Sequence, residues 1–140
     1  MKKETCIREK TTSSLIISFL LLIAFAVPSV WAYGEKNSNE NGVRIQVTPQ
    51  VLSPDKVPQF KIRLNTHSVE LNQDLKRVAE LYDSQGRVYK AERWEGSPPG
   101  GHHRSGTLFF PVLQAPAGDV TLIIREIGGV PKREFSWKIE

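Results

Sequence analysis

The stretch Gln59-Phe60-Lys61-Ile62-Arg63-Leu64-Asn65 alternates strictly between polar and apolar side chains. Successive side chains of a β-strand point to opposite faces of a sheet, so this alternation is typical of a strand with one buried and one solvated face. Residues 43–48 alternate in the same way and end at Pro49. The pattern predicts two half-buried strands, separated by the turn signal Ser53-Pro54-Asp55.

Downstream of this pair, residues 66–77 have no clear period, and we expect them to form a loop. Residues 78–82 and 88–94 flank a polar segment in which Gly86 permits the left-handed backbone that closes a hairpin. Further strands are predicted over residues 107–110, 120–127 and 134–139, which are separated by turns rich in glycine and proline.

About seven strands in roughly a hundred residues, with no convincing helix, predict an all-β fold. We expect residues 43–140 to form an antiparallel β-sandwich of the immunoglobulin or fibronectin type III kind. A closed barrel of short antiparallel strands is the alternative. The irregular segment 66–77 favours the sandwich, because it suits a crossover between two sheets.

The first 32 residues have the pattern of a Sec-type signal peptide. A basic start precedes the apolar run 15–27, which is followed by Pro28 and the small-residue pattern Val30-Trp31-Ala32. We expect a signal helix that is cleaved after Ala32, and a domain exported to the periplasm or the cell exterior. The alternative is a retained N-terminal membrane anchor, although the apolar run is shorter than the roughly 20 residues that span a bilayer.

Residues 33–42 are polar throughout, and we expect a flexible leader there. The only cysteine, Cys6, precedes the apolar run, so the chain after residue 32 has no thiol for a disulfide, a nucleophile or a metal. Residues 1–32 contain four of the 19 basic and two of the 15 acidic residues, which leaves 15 and 13 in the remainder. This near-neutral balance argues against a nucleic-acid partner, and a membrane would be a partner only if the signal segment is retained.

Residues 92–106 contain many turn-forming residues and lie between two predicted strands. Their sequence is Glu92-Arg93-Trp94-Glu95-Gly96-Ser97-Pro98-Pro99-Gly100-Gly101-His102-His103-Arg104-Ser105-Gly106. Loops at one end of a sandwich cluster in space and often carry function, so we expect the functional edge here. Trp94 offers an aromatic platform, Arg104 a fork of donors and His103 a polar ring for an anionic or carbohydrate ligand. In the alternative, Trp94 plugs the core and Arg104 pairs with Glu92 or Glu95.

The three histidines form a second candidate site. His67 follows the strand 59–65, and His102 and His103 lie in the 92–106 segment. Three converging imidazoles would suit zinc or copper(II) with one position open. Neighbouring residues of extended backbone point to opposite sides, so convergence needs a tight turn at Gly100-Gly101. In the alternative, one imidazole fixes the loop by a hydrogen bond to the backbone and the other is exposed.

Catalysis has little support in the sequence, and we expect no enzyme. Ser105 lies two residues from His103, but no oxyanion-forming glycine motif precedes a helix. Glu92 and Glu95 suit solvated charges better than an acid–base pair.

Four segments together resemble small exported bacterial and archaeal domains of unassigned function. They are Phe60-x-Ile62-x-Leu64-Asn65-Thr66-His67-Ser68, Leu81-Tyr82-Asp83 with Gly86, Trp94-Glu95-Gly96, and Gly101-His102-His103-Arg104-x-Gly106-x-Leu108-x-Phe110. The resemblance spans most of the folded part and implies no activity. At the level of the fold, the chain is similar to immunoglobulin-like modules that act as binding or accessory domains, which is an analogy.

Two functions are therefore predicted. The first is a non-catalytic, exported binding or accessory module that meets an unknown protein or small ligand at the 92–106 edge. The alternative is a copper- or zinc-binding protein of the periplasm or cell surface that uses His67, His102 and His103.

Overall fold

The computed structural model describes residues 33–114 and 118–139 of the chain. The predicted signal peptide, and the membrane anchor that is its alternative, lie outside the described residues. All described residues belong to one compact unit.

Nine strands and one helical turn follow each other along the described chain. They are β1 (Lys36–Glu40), β2 (Val43–Val51), β3 (Gln59–Thr66), α1 (Leu75–Val78), β4 (Ala79–Tyr82), β5 (Val88–Lys90), β6 (Arg93–Gly96), β7 (His103–Phe109), β8 (Gly118–Ile127) and β9 (Val130–Ile139). Two antiparallel sheets result, in the orders β1-β2-β3-β7-β6 and β5-β4-β8-β9. The prediction of an all-β, two-sheet fold is confirmed, with nine strands instead of about seven.

The core lies between the two sheets. Phe60 on β3 contacts Phe110 with ring centroids 5.8 Å apart and Trp137 on β9 with centroids 5.4 Å apart, so aromatic packing joins one sheet to the other. The largest fully buried side chains are Phe60, Phe110, Ile45, Ile62, Leu64, Leu71, Leu75, Leu81, Leu108, Leu122, Ile124 and Ile127. Burying each of them stabilises the fold by about 1.5–3 kcal/mol before entropy is counted.

The flexible leader expected over residues 33–42 is wrong for its central part, because Lys36–Glu40 forms the edge strand β1. Glu40 pairs with Val43, and between them Asn41 and Gly42 have φ values of 47° and 71°. These angles define the tight two-residue turn that joins hairpin strands, for which Asn-Gly is the preferred sequence. Since β1 is exposed on nearly all positions, it lacks the apolar alternation by which strands are recognised.

The 92–106 segment is also more regular than expected. β6 and β7 pair from Arg93 opposite Phe109 to Gly96 opposite Gly106, so only residues 97–102 remain as a turn. The predicted strand 88–94 is divided between the sheets, with β5 in one and β6 in the other. The hairpin predicted around residues 83–87 is confirmed by the pairing of β4 with β5.

Arg133 on β9 is buried, with 3% of its surface exposed, and it ties the two sheets together. Its guanidinium donates to the carbonyls of Val43 (2.8 Å), Glu40 (3.0 Å) and Ile127 (3.3 Å). Two of these carbonyls flank the Asn41-Gly42 turn of one sheet, and the third precedes the Gly128-Gly129 turn of the other. Burial lowers the pKa of the Arg133 guanidinium, and the nearby charge of Glu40 opposes that shift.

The two turns also touch directly. Asn41 Nδ2 donates to the Gly128 carbonyl at 3.3 Å. A Cβ atom at Gly128 would lie 2.6 Å from Cγ2 of Val43, and φ there is +63°, so only glycine fits. This contact and Arg133 together fix the end of the molecule at which β1 and β9 approach each other.

The outer face of the four-stranded sheet carries a network of paired charges. Glu80 on β4 bonds to Lys90 on β5, and it also accepts from Arg125 on β8 (3.1 Å) and from the Tyr82 hydroxyl (3.0 Å). The hydrogen bond from Lys90 is the main cause that lowers the pKa of Glu80 to about 2. The network links three neighbouring strands.

We expect Arg133→Met to lower the free energy of unfolding by about 3 kcal/mol, because three buried carbonyls lose their donor. Urea denaturation of the purified protein measures the difference. The control is Lys132→Met, which removes an exposed ammonium bonded to Glu134 and should change stability by less than about 0.5 kcal/mol. Equal stability of the two variants would contradict the role assigned to Arg133.

We expect Glu80→Gln to change the way in which the free energy of unfolding depends on pH below about pH 5. The pKa of Glu80 is lower in the folded state, about 2, than the ordinary value of about 4.3 in an unfolded chain. The carboxylate therefore contributes stability above about pH 5, which is lost as the pH falls towards 2. Glu80→Gln should be about 1–2 kcal/mol less stable at pH 7, after allowance for partial solvent exposure, and should converge with the parent near pH 2.

Urea denaturation at several pH values tests this expectation. The matched control is Glu134→Gln, which removes a carboxylate from an exposed pair on the same sheet. If the free energies of unfolding of Glu80→Gln and of the parent differ by the same amount from pH 7 to pH 2, the charge of Glu80 does not contribute to stability.

Candidate functional site

Trp94 covers a close approach between two glycines. Gly96 on β6 pairs with Gly106 on β7, and a Cβ atom at either position would lie 2.7 Å from the indole of Trp94. The indole Nε1 donates to the Ser97 carbonyl at 2.9 Å. Half-buried Trp94 packs against the core, so the ring supplies the apolar cover that the two glycines lack.

Arg104 lies inside the molecule, with 2% of its surface exposed. Its guanidinium donates to the carbonyls of Gln73 (2.6 Å) and Leu71 (2.9 Å), and it contacts the Ser97 carbonyl at 3.4 Å. The expected ion pair with Glu92 or Glu95 is replaced by these carbonyl contacts. Burial lowers the pKa of Arg104, and the charge of Asp74 opposes the shift.

Arg104 thereby holds two loops side by side, and backbone hydrogen bonds reinforce the contact. Thr66 N donates to the His102 carbonyl (3.0 Å), Leu71 N to the Gly101 carbonyl (2.9 Å) and Gly100 N to the Leu71 carbonyl (2.9 Å). Gly100 and Gly101 have φ values of 112° and 71°, which suit glycine. The loop after β3 and the 97–102 turn therefore meet.

Two of the three histidines lie together. The ring centroids of His67 and His103 are 6.2 Å apart, and Nδ1 of His103 lies 3.0 Å from Oδ1 of Asn65. The partner of His103 is thus a side chain, in place of the expected backbone group. Over residues 33–114 and 118–139, no three His, Cys, Asp or Glu side chains are grouped to hold a metal ion, so His102 is not gathered with the other two.

The residues that surround these histidines form a row across four strands. Asn39 on β1 is opposite Arg44 on β2, Arg44 is opposite Asn65 on β3, and Asn65 is opposite His103 on β7. Residues in register share a face, and the neighbouring Ile45 is fully buried, so this row faces solvent. A cavity of about 280 Å³ lies at the row, lined by Asn39, Gly42, Arg44, Gln46, Asn65, Thr66 and His67.

The next rows continue the same solvent-facing surface, which we call the polar face. Its members are Asn37, Asn39, Arg44, Gln46, Thr48, Lys61, Arg63, Asn65, His103, Ser105 and Thr107. Glu35 reaches across it and accepts from Gln46 (2.9 Å) and Thr48 (3.2 Å). The hydrogen bond from Gln46 is the largest cause that lowers the pKa of Glu35.

Apart from His103, the residues of the polar face carry no sequence signal for a binding role. Its members on β2 and β3 are the polar positions of the same alternation that predicted these strands. That signal was available, but it does not say which residue of one strand lies opposite which residue of the next. The row of Asn39, Arg44, Asn65 and His103 exists only once the register is fixed.

No family model, no curated protein and no solved structure matches this chain. In the part of the chain that the structure covers, no helix has the length and apolar character needed to cross a membrane. The function of the polar face therefore has to be inferred from its own residues.

We expect Gly106→Ala to destabilise the protein by about 2–3 kcal/mol, because the added Cβ would lie 2.4 Å from the Glu95 carbonyl oxygen and 2.6 Å from Cα of Gly96. Backbone atoms on a paired strand have little room to retreat. Thermal unfolding followed by circular dichroism measures the effect. Gly34→Ala is the control, since a Cβ there meets nothing within 4 Å, and an equal melting temperature for both variants would disprove the close packing.

Proposed function

We propose that the chain is an exported, non-catalytic binding module that contacts its ligand through the polar face, at the end next to the 97–102 turn. Its two-sheet fold is, in this proposal, an immunoglobulin-like sandwich. Crossings between sheets after β3 and between β5 and β6 support that assignment. Export is supported by the signal-peptide pattern of residues 1–32.

The observation that carries the proposal is the set of cations on the polar face. On the four-stranded sheet, Glu80 bonds to Lys90 and Arg125, and Lys132 bonds to Glu134, whereas Asp119 and Lys138 lie opposite each other without an ion pair among the described residues. The polar face carries three cations, Arg44, Lys61 and Arg63, none of which forms an ion pair with a carboxylate of the described chain. A ligand can therefore use Arg44 and Lys61 without breaking an existing ion pair, whereas Arg63 is already attracted by the Glu35 carboxylate.

The residues of the 92–106 segment have two different roles in this proposal. Trp94 and Arg104 hold the turn against the core and against the loop after β3, so they shape the surface from below. His103 and Ser105 lie on the polar face and are available to a ligand. Rigid support of this kind lowers the entropy lost on binding, because the surface is ordered before the ligand arrives.

A non-catalytic role agrees with the bonding of the polar side chains. Nδ1 of His103 is engaged by the amide of Asn65 and is not directed at a serine hydroxyl. The nearby Ser105 uses its backbone N–H to bond to Oγ of Ser97 at 3.2 Å, which strengthens the hairpin. Both residues thus order the surface.

The second candidate is the copper- or zinc-binding protein that would use His67, His102 and His103. The approach of the His67 and His103 rings favours it. Against it stands Arg44, which lines the same cavity as His67 and raises the electrostatic cost of placing a divalent cation there. We therefore place the binding module first.

The test is an NMR titration of the purified protein with three probes: a carboxylated oligogalacturonate, a poly-glutamate peptide and a neutral malto-oligosaccharide. We expect at least one probe to produce saturable shifts in the amides of β2, β3 and β7. The combined variant Arg44→Gln, Lys61→Gln and Arg63→Gln should weaken that binding at least tenfold, because its cations are removed from the contact surface.

A matched control removes the same charge elsewhere, with Lys56→Gln, Lys76→Gln and Lys138→Gln, all of them exposed and outside the polar face. It should bind like the parent. Shifts that map to the four-stranded sheet, equal losses in the two combined variants, or no shift with any probe would each refute the proposal.

A further inference from the structure

We infer that the cavity at the end of the polar face binds one oxyanion group of the ligand, a carboxylate or a phosphate, against Arg44 and the side-chain amides beside it. This inference rests on the proposed function, and it adds the chemical class of the group that is recognised. It assigns a specific task to the row of Asn39, Arg44, Asn65 and His103.

The first argument is the balance of donors and acceptors in the cavity. Its lining holds the guanidinium of Arg44, the amides of Asn39 and Asn65, and the imidazole of His67, and none of the lining residues is acidic. The amide of Gln46 also lines the cavity, but it already donates to Glu35. A guanidinium has five N–H donors and no acceptor, and it matches the two oxygens of a carboxylate or phosphate. The lining therefore has a donor excess, which suits an anion.

The second argument is the orientation of Asn65. Its Oδ1 is the partner of His103 Nδ1 at 3.0 Å, so the imidazole donates and the amide accepts through that oxygen. The NH₂ group of Asn65 is then directed away from His103 and remains available as a donor. His103 thus acts as a positioning residue, which sets the direction of the amide.

The third argument concerns Glu35 and Glu40, the carboxylates before and at the end of β1. Glu35 accepts from Gln46, which lines the cavity, and from Thr48. Glu40 accepts from the hydroxyl of Ser38 at 2.5 Å. Arg44 has an ion pair with neither of them, so its charge is not neutralised before a ligand binds.

The fourth argument is the rigidity of the cavity walls. Gly42 belongs to the turn that Arg133 fixes through the Glu40 and Val43 carbonyls. On the other side, the backbone N–H of Thr66 is bonded to the His102 carbonyl at 3.0 Å. Both walls are therefore set by bonds that exist without the ligand, as expected of a preorganised binding site.

The experiment compares anions and a neutral ligand at constant ionic strength, by NMR titration of the purified protein. The probes are acetate, inorganic phosphate, galacturonic acid and glucose; the last two share the pyranose ring, but only galacturonic acid has a carboxylate. We expect the three anions to produce saturable shifts at residues 39–46 and 65–67, and glucose to produce shifts there at least tenfold weaker. Stronger binding of phosphate than of galacturonic acid, or the reverse, identifies which oxyanion source the cavity prefers.

Two variants locate the site. Arg44→Gln removes the cation, and Asn39→Asp places a carboxylate of nearly the same shape at the cavity rim. Each should weaken anion binding at least tenfold. Arg77→Gln, which removes an exposed arginine on α1, should bind like the parent, and the amide spectrum of every variant reports whether it is folded.

The outcomes separate this inference from the proposed function. Neutral malto-oligosaccharide binding to the polar face, with no anion bound in the cavity, would overturn the inference and leave the binding module intact. Absence of shifts with every probe of both titrations would overturn both. Saturable zinc binding that is lost in a His67→Ala and His103→Ala double variant, with anions unbound, would replace the oxyanion site by a metal site.

Discussion

In the described part of the chain, two guanidinium groups that are buried without an ion pair to a carboxylate impose the main constraint on the fold. A buried charge must be compensated, and here the compensation comes from backbone carbonyls: Arg133 uses those of Glu40, Val43 and Ile127, and Arg104 uses those of Leu71 and Gln73. A carbonyl is fixed to the chain, so each arginine holds loop backbone in one conformation. The sheets supply the hydrophobic core, but the arginines determine how the turns at the ends are placed.

Much of the fold was predictable because the apolar side chains of β2, β3, β4 and β9 follow a period of two and those of β8 form a nearly continuous apolar run. β1 was not predicted because the side chains on both its faces are polar. Its local signal is the Asn41-Gly42 turn, and its pairing with β2 is visible only in the structure. The local sequence pattern also could not predict that residues 88–94 are divided between the two sheets. Tyr89 and Trp94 are each consistent with a single continuous strand, and only packing shows that they serve different sheets.

The candidate site was predictable in its components and unpredictable in its arrangement. His103 was selected from the sequence, but Asn65, which bonds to it, and Arg44, which lies opposite Asn65, are 38 and 59 positions away and join its row only by register. Arg104 was also selected from the sequence, but its side chain is buried and not on the polar face. His103 faces the solvent and Arg104 points inward, because β7 begins at His103 and successive side chains of a strand alternate between faces. Because residues 92–106 are rich in turn-forming residues, the sequence did not indicate this alternation.

If the chain is exported and cleaved after Ala32, the position of β1 limits the order of these events. Tyr33 alone separates Ala32 from Gly34, and the carbonyl of Gly34 accepts the indole N–H of Trp137 at 2.8 Å. Each residue extends the chain by roughly 3.5 Å at most. If the chain is cleaved after Ala32, a peptidase has almost no free chain to grip once this hydrogen bond and β1 have formed. Processing would then precede the closure of the first hairpin, and folding of the N-terminal edge would be the last step of maturation.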